Sequence, residues 1–205
     1  MSDFTIAAGV LTLGAAICAG GLGWLIVTAQ RWRFDSDVAP AKGSAAKGIL
    51  YAFTMGMLPW EKESARIHRV AYVRGVAFHL GIFLGVAFLA LTPWLNVLPL
   101  LVRLSFSAIM AAAAIAGLPG FWLRFHDRML RAVSTPDDYA ALTLATLFLV
   151  SGSFCAAHME LLPLFWIVSG VTLAYTPFSK LRHFIYFFFA RGFFGLMFGY
   201  RGILK

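Results

Sequence analysis

Five long apolar segments dominate the pattern of hydrophobic and polar positions along the chain. They cover about residues 4–29, 71–94, 100–121, 140–157 and 161–183. Helices of about 20 apolar residues cross a bilayer, whereas the strands of a membrane barrel need only about 10. Because lipid offers backbone groups no hydrogen-bond partner, such segments must be helical. The pattern predicts an all-α integral membrane protein with five transmembrane helices in a single membrane domain over residues 1–205.

The stretch after the fifth segment, residues 184–205, has a different character. It is aromatic on much of its surface, but Arg191, Arg201 and several glycines interrupt it. An apolar and cationic helix of this kind is typical of the interface between lipid and water. We therefore expect an interfacial C-terminal helix and not a sixth crossing.

Composition supports a membrane location, since 60% of the residues are hydrophobic and only 13% are charged. In a soluble protein the net charge of +8 would suggest nucleic acid, but here we expect no nucleic acid, because basic residues mark cytoplasmic loops. Only Arg103 lies near the other side. The N-terminus is thus expected outside and the C-terminus in the cytoplasm, in a bacterial or archaeal cytoplasmic membrane. The predicted cytoplasmic cations are Arg31, Arg33, Lys42, Lys47, Lys62, Arg66, Arg69, Arg74, Arg124, Arg128, Arg131, Lys180, Arg182, Arg191, Arg201 and Lys205.

Two histidines occupy positions where an ionisable side chain is costly. His79 lies well inside the second segment, and His183 lies near the cytoplasmic end of the fifth. Ionisable residues in membrane spans are rare and usually functional, and two imidazoles can supply both axial ligands of a b-type haem. Gly75, one turn before His79, would let the macrocycle lie against the backbone. The alternative is that His79 hydrogen-bonds a neighbouring helix and that His183 is an interfacial residue.

Four cations near the same membrane level are candidates to pair with haem propionates, as a buried carboxylate requires. They are Arg69, Arg74, Lys180 and Arg182. His68 precedes His79 by eleven residues but lies outside the apolar segment. For His68, a propionate contact or a surface position is favoured over iron ligation.

Arg103, His158 and Glu160 form the one ionisable cluster predicted on the outer side. A histidine and a carboxylate could take protons from a quinol while an arginine holds its oxygens. We treat this trio as a candidate site for menaquinone or ubiquinone. The alternative is a solvated rim of the protein.

Three stretches resemble motifs of a known family. Phe78-His-Leu-Gly-Ile82 and Pro177-Phe-Ser-Lys-Leu-Arg-His183 resemble the paired ligand motifs of the gamma, cytochrome b subunit of respiratory nitrate reductase, and Arg131 to Tyr139 is similar to the loop before the fourth helix in that superfamily. The superfamily includes membrane cytochromes of heterodisulfide-reductase-like and high-molecular-weight cytochrome complexes. The resemblance implies that His79 and His183 ligate haem b. Members with two haems carry further histidines where this chain has Leu89 and Phe165, so the resemblance implies one haem per chain.

These features predict a membrane cytochrome b subunit of a multi-subunit respiratory redox complex. It would relay electrons between the quinone pool, or a multihaem cytochrome c on the outer face, and an iron–sulfur subunit on the cytoplasmic face, beside other membrane subunits. We expect no bond-making catalysis in this chain alone. The alternative is a haem-free membrane anchor or assembly subunit of such a complex. A small transporter is disfavoured, because apart from His79 the midplane of the spans offers only Ser, Thr and Gly.

Overall fold

The described part of the fold consists of α-helices and short 3-10 turns. The computed structural model describes residues 2–31 and 40–204, so Arg33 and Lys205 of the predicted cytoplasmic cations lie outside the described residues. The α-helices are α1 (Ser2–Arg31), α2 (Ala45–Phe53), α3 (Glu63–Ile67), α4 (Arg69–Leu91), α5 (Leu100–His126), α6 (Arg128–Val133), α7 (Pro136–Ala157), α8 (Leu162–Tyr175) and α9 (His183–Tyr200). Single 3-10 turns lie at Met55–Met57, Pro59–Glu61, Thr92–Trp94, Met159–Leu161, Thr176–Phe178 and Lys180–Arg182. The described residues contain no strand, which confirms the predicted all-α class.

Five helical segments are long and apolar enough to cross a membrane, as predicted. They are Asp3–Arg31, Arg69–Trp94, Leu100–His126, Pro136–Ala157 and Met159–Phe178. Among the described helices, α9 is not one of them. The protein is therefore a multi-pass membrane protein that resides in a lipid bilayer.

The predicted fifth segment, 161–183, is not one continuous helix. α8 ends at Tyr175, and two 3-10 turns separate it from α9. Pro177 explains the break, because proline has no N–H for the helical ladder and disfavours helix at the residue before it. His183 is consequently the first residue of α9 and not the last residue of a spanning helix.

The chain divides into two compact units, a division that the apolar pattern did not predict. The first unit contains Met1–Gly21 and Val73–Leu181, and the second contains Leu22–Tyr72 and Arg182–Lys205. Each unit thus combines stretches that are far apart along the chain.

Aromatic packing forms the core of the first unit. Phe88 of α4 and Phe165 of α8 are fully buried, and their ring centroids are 5.6 Å apart. The ring of Phe148, on α7, lies 5.5 Å from that of Phe165. Rings at these distances attract one another beyond the effect of burial alone, so Phe165 links three helices.

Hydrogen bonds at the two ends of the first unit show that its long helices alternate in direction. At one end, which we call the Thr92 end, Trp166 Nε1 of α8 donates to Thr92 Oγ1 at the end of α4, at 3.0 Å. At the other, which we call the Asp137 end, Tyr139 OH of α7 donates to Arg124 O near the end of α5, at 3.2 Å. The start of α8 therefore lies beside the end of α4, and the start of α7 lies beside the end of α5.

The cations of the first unit concentrate at the Asp137 end. Arg103 lies near the start of α5, at the Thr92 end, and the remaining Lys and Arg residues of the unit lie at the Asp137 end. The latter are Arg74, Arg124, Arg128, Arg131 and Lys180. The concentration of Lys and Arg on one side, which was inferred from the sequence, is thus present in the fold of the first unit.

α1 packs beside α8 through glycine. A Cβ on Gly14 would collide with the backbone of Gly170, and a Cβ on Gly170 would collide with that of Val10. Small residues let helix backbones approach closely in a bilayer. On the same helix, a Cβ on Gly9 or Gly20 would meet no atom within 4 Å. The contact is therefore confined to one stripe of α1.

α2 and α9 form a close helix pair in the second unit. A Cβ on Gly48 of α2 would collide with the backbone of Gly195 and Gly199 of α9. Lys42 N donates to Tyr200 O at 3.0 Å, next to the start of α2. The C-terminal segment thus lies along α2, and most of its phenylalanines remain at least partly exposed.

Replacing Gly14 by leucine should destabilise the fold, whereas the same change at Gly9 should not. The new side chain at Gly14 would meet the backbone of Gly170, and such overpacking costs about 1–3 kcal/mol. Unfolding of the purified chain in detergent by added SDS, followed by circular dichroism, measures the difference. Equal stabilities of Gly14→Leu and Gly9→Leu would contradict the α1–α8 contact.

Candidate functional site

His79 lies on α4 in the first unit, and its imidazole is exposed. Its Nδ1 lies 2.7 Å from Gly75 O, one helical turn earlier. Because a carbonyl oxygen only accepts, Nδ1 carries the proton, and in the neutral ring the lone pair is on Nε2. Metal-ligating histidines are usually oriented in this way by their second ring nitrogen. The tautomer of His79 is therefore the one that ligation through Nε2 requires.

The face of α4 that carries Gly75 differs from the face that packs in the core. On the inner face, a Cβ on Gly81 would collide with the Cβ of Ala113. A Cβ on Gly75 would meet no atom within 4 Å. The space that a side chain would begin to fill at Gly75, one turn before His79, is therefore open.

His183 belongs to the second unit, and its side chain is exposed. Because the two histidines lie in different units, their pairing on one iron stays a prediction. Among the described residues, no group of three or more His, Cys, Asp or Glu side chains is placed to hold a metal ion. A haem iron takes only two axial ligands from the protein.

The cations predicted to meet haem propionates are divided between the units. Arg74 and Lys180 belong to the first unit, whereas Arg69 and Arg182 belong to the second, as does the exposed His68. Lys180 already has an anionic partner, because its ammonium forms an ion pair with Asp138. Its charge is thus partly neutralised within the protein.

Asp137 and Asp138 hold the turn that follows α8, and together with Tyr175 we call them the loop anchor. Asp137 accepts hydrogen bonds from Lys180 N at 2.8 Å and from Tyr175 OH. Asp138 accepts from Thr135 N at 2.8 Å, which caps α7, and pairs with the Lys180 ammonium. The loop anchor therefore joins two of the motifs on which the family resemblance rests.

Acidic residues such as Asp137 and Asp138 favour the start of a helix, because negative charge is stabilised at its positive end. That role is present, since Thr135 is the N-cap and Pro136 the first helical residue. One acidic residue suffices for a capping box. The second aspartate of this motif and Lys180, the one lysine of the other motif, carry opposite charges. This pair is the signal in the sequence that indicates the contact between the two motifs.

The predicted quinone residues lie at the Thr92 end. His158 Nδ1 is 3.5 Å from Glu160 Oε1, and the two side chains are 61% and 74% exposed. Arg103 is half-buried, and its Nε is buried without a hydrogen-bond partner within the described residues. A buried N–H without an acceptor costs free energy. The structure thus brings His158 and Glu160 together and gives Arg103 an unused donor.

Leu89 and Phe165 stand where two-haem relatives carry further histidines. Phe165 is fully buried between Phe88 and Phe148, and Leu89 packs partly buried against the same core. Hydrocarbon fills both positions. The fold therefore contains packing contacts there in place of a second ligand pair.

A further polar cluster, which sequence reasoning missed, holds the turns after α2 in the second unit. Arg191 Nη2 donates to Gly56 O at 2.8 Å, and Tyr51 OH donates to Glu61 Oε2 at 2.9 Å. The bond to the carboxylate raises the pKa of Tyr51. Burial, and then the charge of Arg191, lower the pKa of Lys62. These contacts secure the turns between α2 and α3 against α9.

Comparison of the chain with models of protein families, with characterised proteins and with solved structures gave no match. The resemblance to nitrate reductase gamma subunits accordingly rests on the sequence motifs.

Gly75→Ala should stabilise the haem-free chain by about 0.5–1 kcal/mol, because alanine is the better helix former and its Cβ would enter open space. Gly81→Ala is the matched change on the inner face. It should destabilise the chain, since its Cβ would collide with Ala113. Unfolding of both variants by SDS should show changes in stability of opposite sign. A loss of stability in Gly75→Ala would show that protein atoms occupy the space beside His79.

Proposed function

We propose that this chain is the membrane cytochrome b subunit of a multi-subunit respiratory redox complex and that His79 and His183 ligate one haem b. The observation that carries the proposal is the environment of His79. Its ring is oriented by Gly75 O for ligation through Nε2, in a membrane span and beside an open stretch of backbone. When bound, haem would supply reversible one-electron transfer.

The residues around the histidines would hold and orient the cofactor. Gly75 would fix the His79 ring through its carbonyl and, lacking a side chain, leave room for the macrocycle. Arg74, Arg69 and Arg182 would pair with the propionates, because buried carboxylates need charged donors. Leu89 and Phe165 pack as hydrocarbon, which supports one haem per chain.

Charge at the ends of the first unit supports the orientation with the N-terminus outside. The rings of Phe4 and Trp166 are 6.3 Å apart, so the N-terminus of α1 lies at the Thr92 end, where Arg103 is the only Lys or Arg residue of the unit's described part. The cationic Asp137 end would face the cytoplasm of a bacterium or archaeon. An iron–sulfur subunit would dock there, and electrons would be exchanged at the outer Thr92 end with either a quinone or a multihaem cytochrome c.

Arg103 favours a quinone as the electron-exchange partner at the Thr92 end. Its buried Nε lacks an acceptor within the described residues, and a quinone oxygen would provide one. His158 and Glu160, paired and exposed, would exchange the protons of a quinol with solvent. Menaquinone and ubiquinone both present such oxygens.

The purified chain should contain about one haem b per polypeptide, because each bis-histidine haem consumes one ligand pair. His79→Ala and His183→Ala should each abolish the reduced-minus-oxidised spectrum of a b-type haem. His126→Ala is the control and should leave the spectrum unchanged. The His126 ring stacks on Trp122 at the end of α5, with ring centroids 3.5 Å apart.

The pyridine haemochrome assay gives the stoichiometry. Assembly of the complex without any haem would contradict the proposal and favour a membrane anchor or assembly subunit. Two haems per chain would show that a further ligand pair exists.

Val97 and Val133 provide a matched test of orientation, since they are 70% and 72% exposed and lie at opposite ends of the first unit. In a chain with Cys18 and Cys155 replaced by alanine, the Val97→Cys variant should react with an impermeant maleimide added to intact spheroplasts. The Val133→Cys variant should react only after permeabilisation. The reverse result would place the N-terminus in the cytoplasm.

A further inference from the structure

The turn between α8 and α9 is held from three sides, all within the first unit. Pro177 packs against Gly21 of α1, so closely that a Cβ on Gly21 would overlap the proline ring. Ser179 is buried. Lys180 N is bound by Asp137 at 2.8 Å. The turn therefore has contacts to α1 and α7 besides its link to α8.

Lys180 is held through both its backbone and its side chain. Asp137 binds the backbone N–H, and Asp138 binds the ammonium. The Asp138 side chain is only 14% exposed, against 50% for Lys180, so the contact is partly shielded from water. Two contacts on one residue fix its direction as well as its position, which a single contact would not.

The base of this contact is itself rigid. Asp137 and Asp138 lie in the first turn of α7, and the bond from Thr135 N to Asp138 at 2.8 Å closes that turn. Tyr175, at the end of α8, adds its hydroxyl bond to Asp137. The carboxylates therefore have little freedom to follow a moving turn.

We propose that the loop anchor positions His183 for ligation and that Lys180 serves this anchor and not a haem propionate. One 3-10 turn, Lys180–Arg182, separates the anchored residue from His183. Each residue of that turn can rotate about only two backbone dihedral angles. An anchored Lys180 therefore restricts the position of the His183 backbone, from which the imidazole extends. This proposal rests on the proposed function, because it takes His183 to be an iron ligand.

The test measures how the full-length purified chain holds haem after single changes in the loop anchor. Asp137→Ala and Asp138→Ala should release haem to apomyoglobin about tenfold faster than the wild type, as is usual when the support of a metal ligand is removed. The low-spin EPR signal of the oxidised haem should also shift, because it reports the orientation of the two imidazole planes.

Asp127→Ala is the matched control. Asp127 caps α6 by accepting from Met129 N at 2.8 Å, and it makes no described contact with the turn. Its loss removes an N-cap aspartate without touching the loop anchor. Haem release and the EPR signal of this variant should equal those of the wild type.

Two milder variants keep the test decisive if an alanine variant fails to fold. Tyr175→Phe removes one hydroxyl bond, and Lys180→Gln removes the ion pair but keeps the backbone bond, so both should release haem at intermediate rates. In an Asp138→Asn background, Lys180→Gln should have no added effect, because the two residues act as one pair. A full effect of Lys180→Gln in that background would instead indicate a propionate contact.

The outcomes separate this inference from the proposed function. If the wild type binds haem and the loop-anchor variants behave like Asp127→Ala, the inference is overturned while the cytochrome proposal stands. If the wild-type chain holds no haem, both are overturned.

Discussion

Helices in a bilayer gain little from hiding apolar surface, since lipid is as apolar as their partners, so close packing and hydrogen bonds must hold them together. The structure meets this constraint within each unit. In the first unit, Gly14 and Gly170 bring two helix backbones into contact, and Phe165 packs between rings of two other helices. In the second unit, Gly48 brings the backbone of α2 into contact with that of α9.

The same constraint bears on the candidate site. A polar side chain in a membrane span requires a partner, and one partner of His79 is Gly75 O. That bond orients the ring and, in the neutral imidazole, places the lone pair on the other ring nitrogen. Lys180 and Asp138, two charged residues of the Asp137 end, have a different role. Lys180 and Asp138 satisfy each other, so they contribute to the shape of a turn more than to the field around a ligand.

The sequence allowed the five spans to be predicted, because length and apolarity alone decide which helices cross a bilayer. It did not reveal that α9 packs along α2, since the glycines that make this contact are separated by most of the chain and have no side-chain pattern of their own. Pro177 indicated a bend in the fifth segment, but the end of α8 at Tyr175 was not predicted, because apolar residues continue past the proline and hydropathy masks the lost hydrogen bond. At the site, His79 and Gly75 were recognisable as candidates, but the tautomer depends on a hydrogen bond that only coordinates show. The loop anchor was hidden because a helix cap already explained its aspartates.

The pairing of α2 with α9 also constrains how the protein is made. The ribosome synthesises α2 long before α9, and at about 5–20 residues per second the interval is on the order of 10 s. During that time Gly48 has no neighbouring backbone to cover it, and the second unit cannot close. The residues of the first unit end at Leu181, so all of them are synthesised before α9. Completion of the second unit is therefore a late event that follows the membrane insertion of the spanning helices.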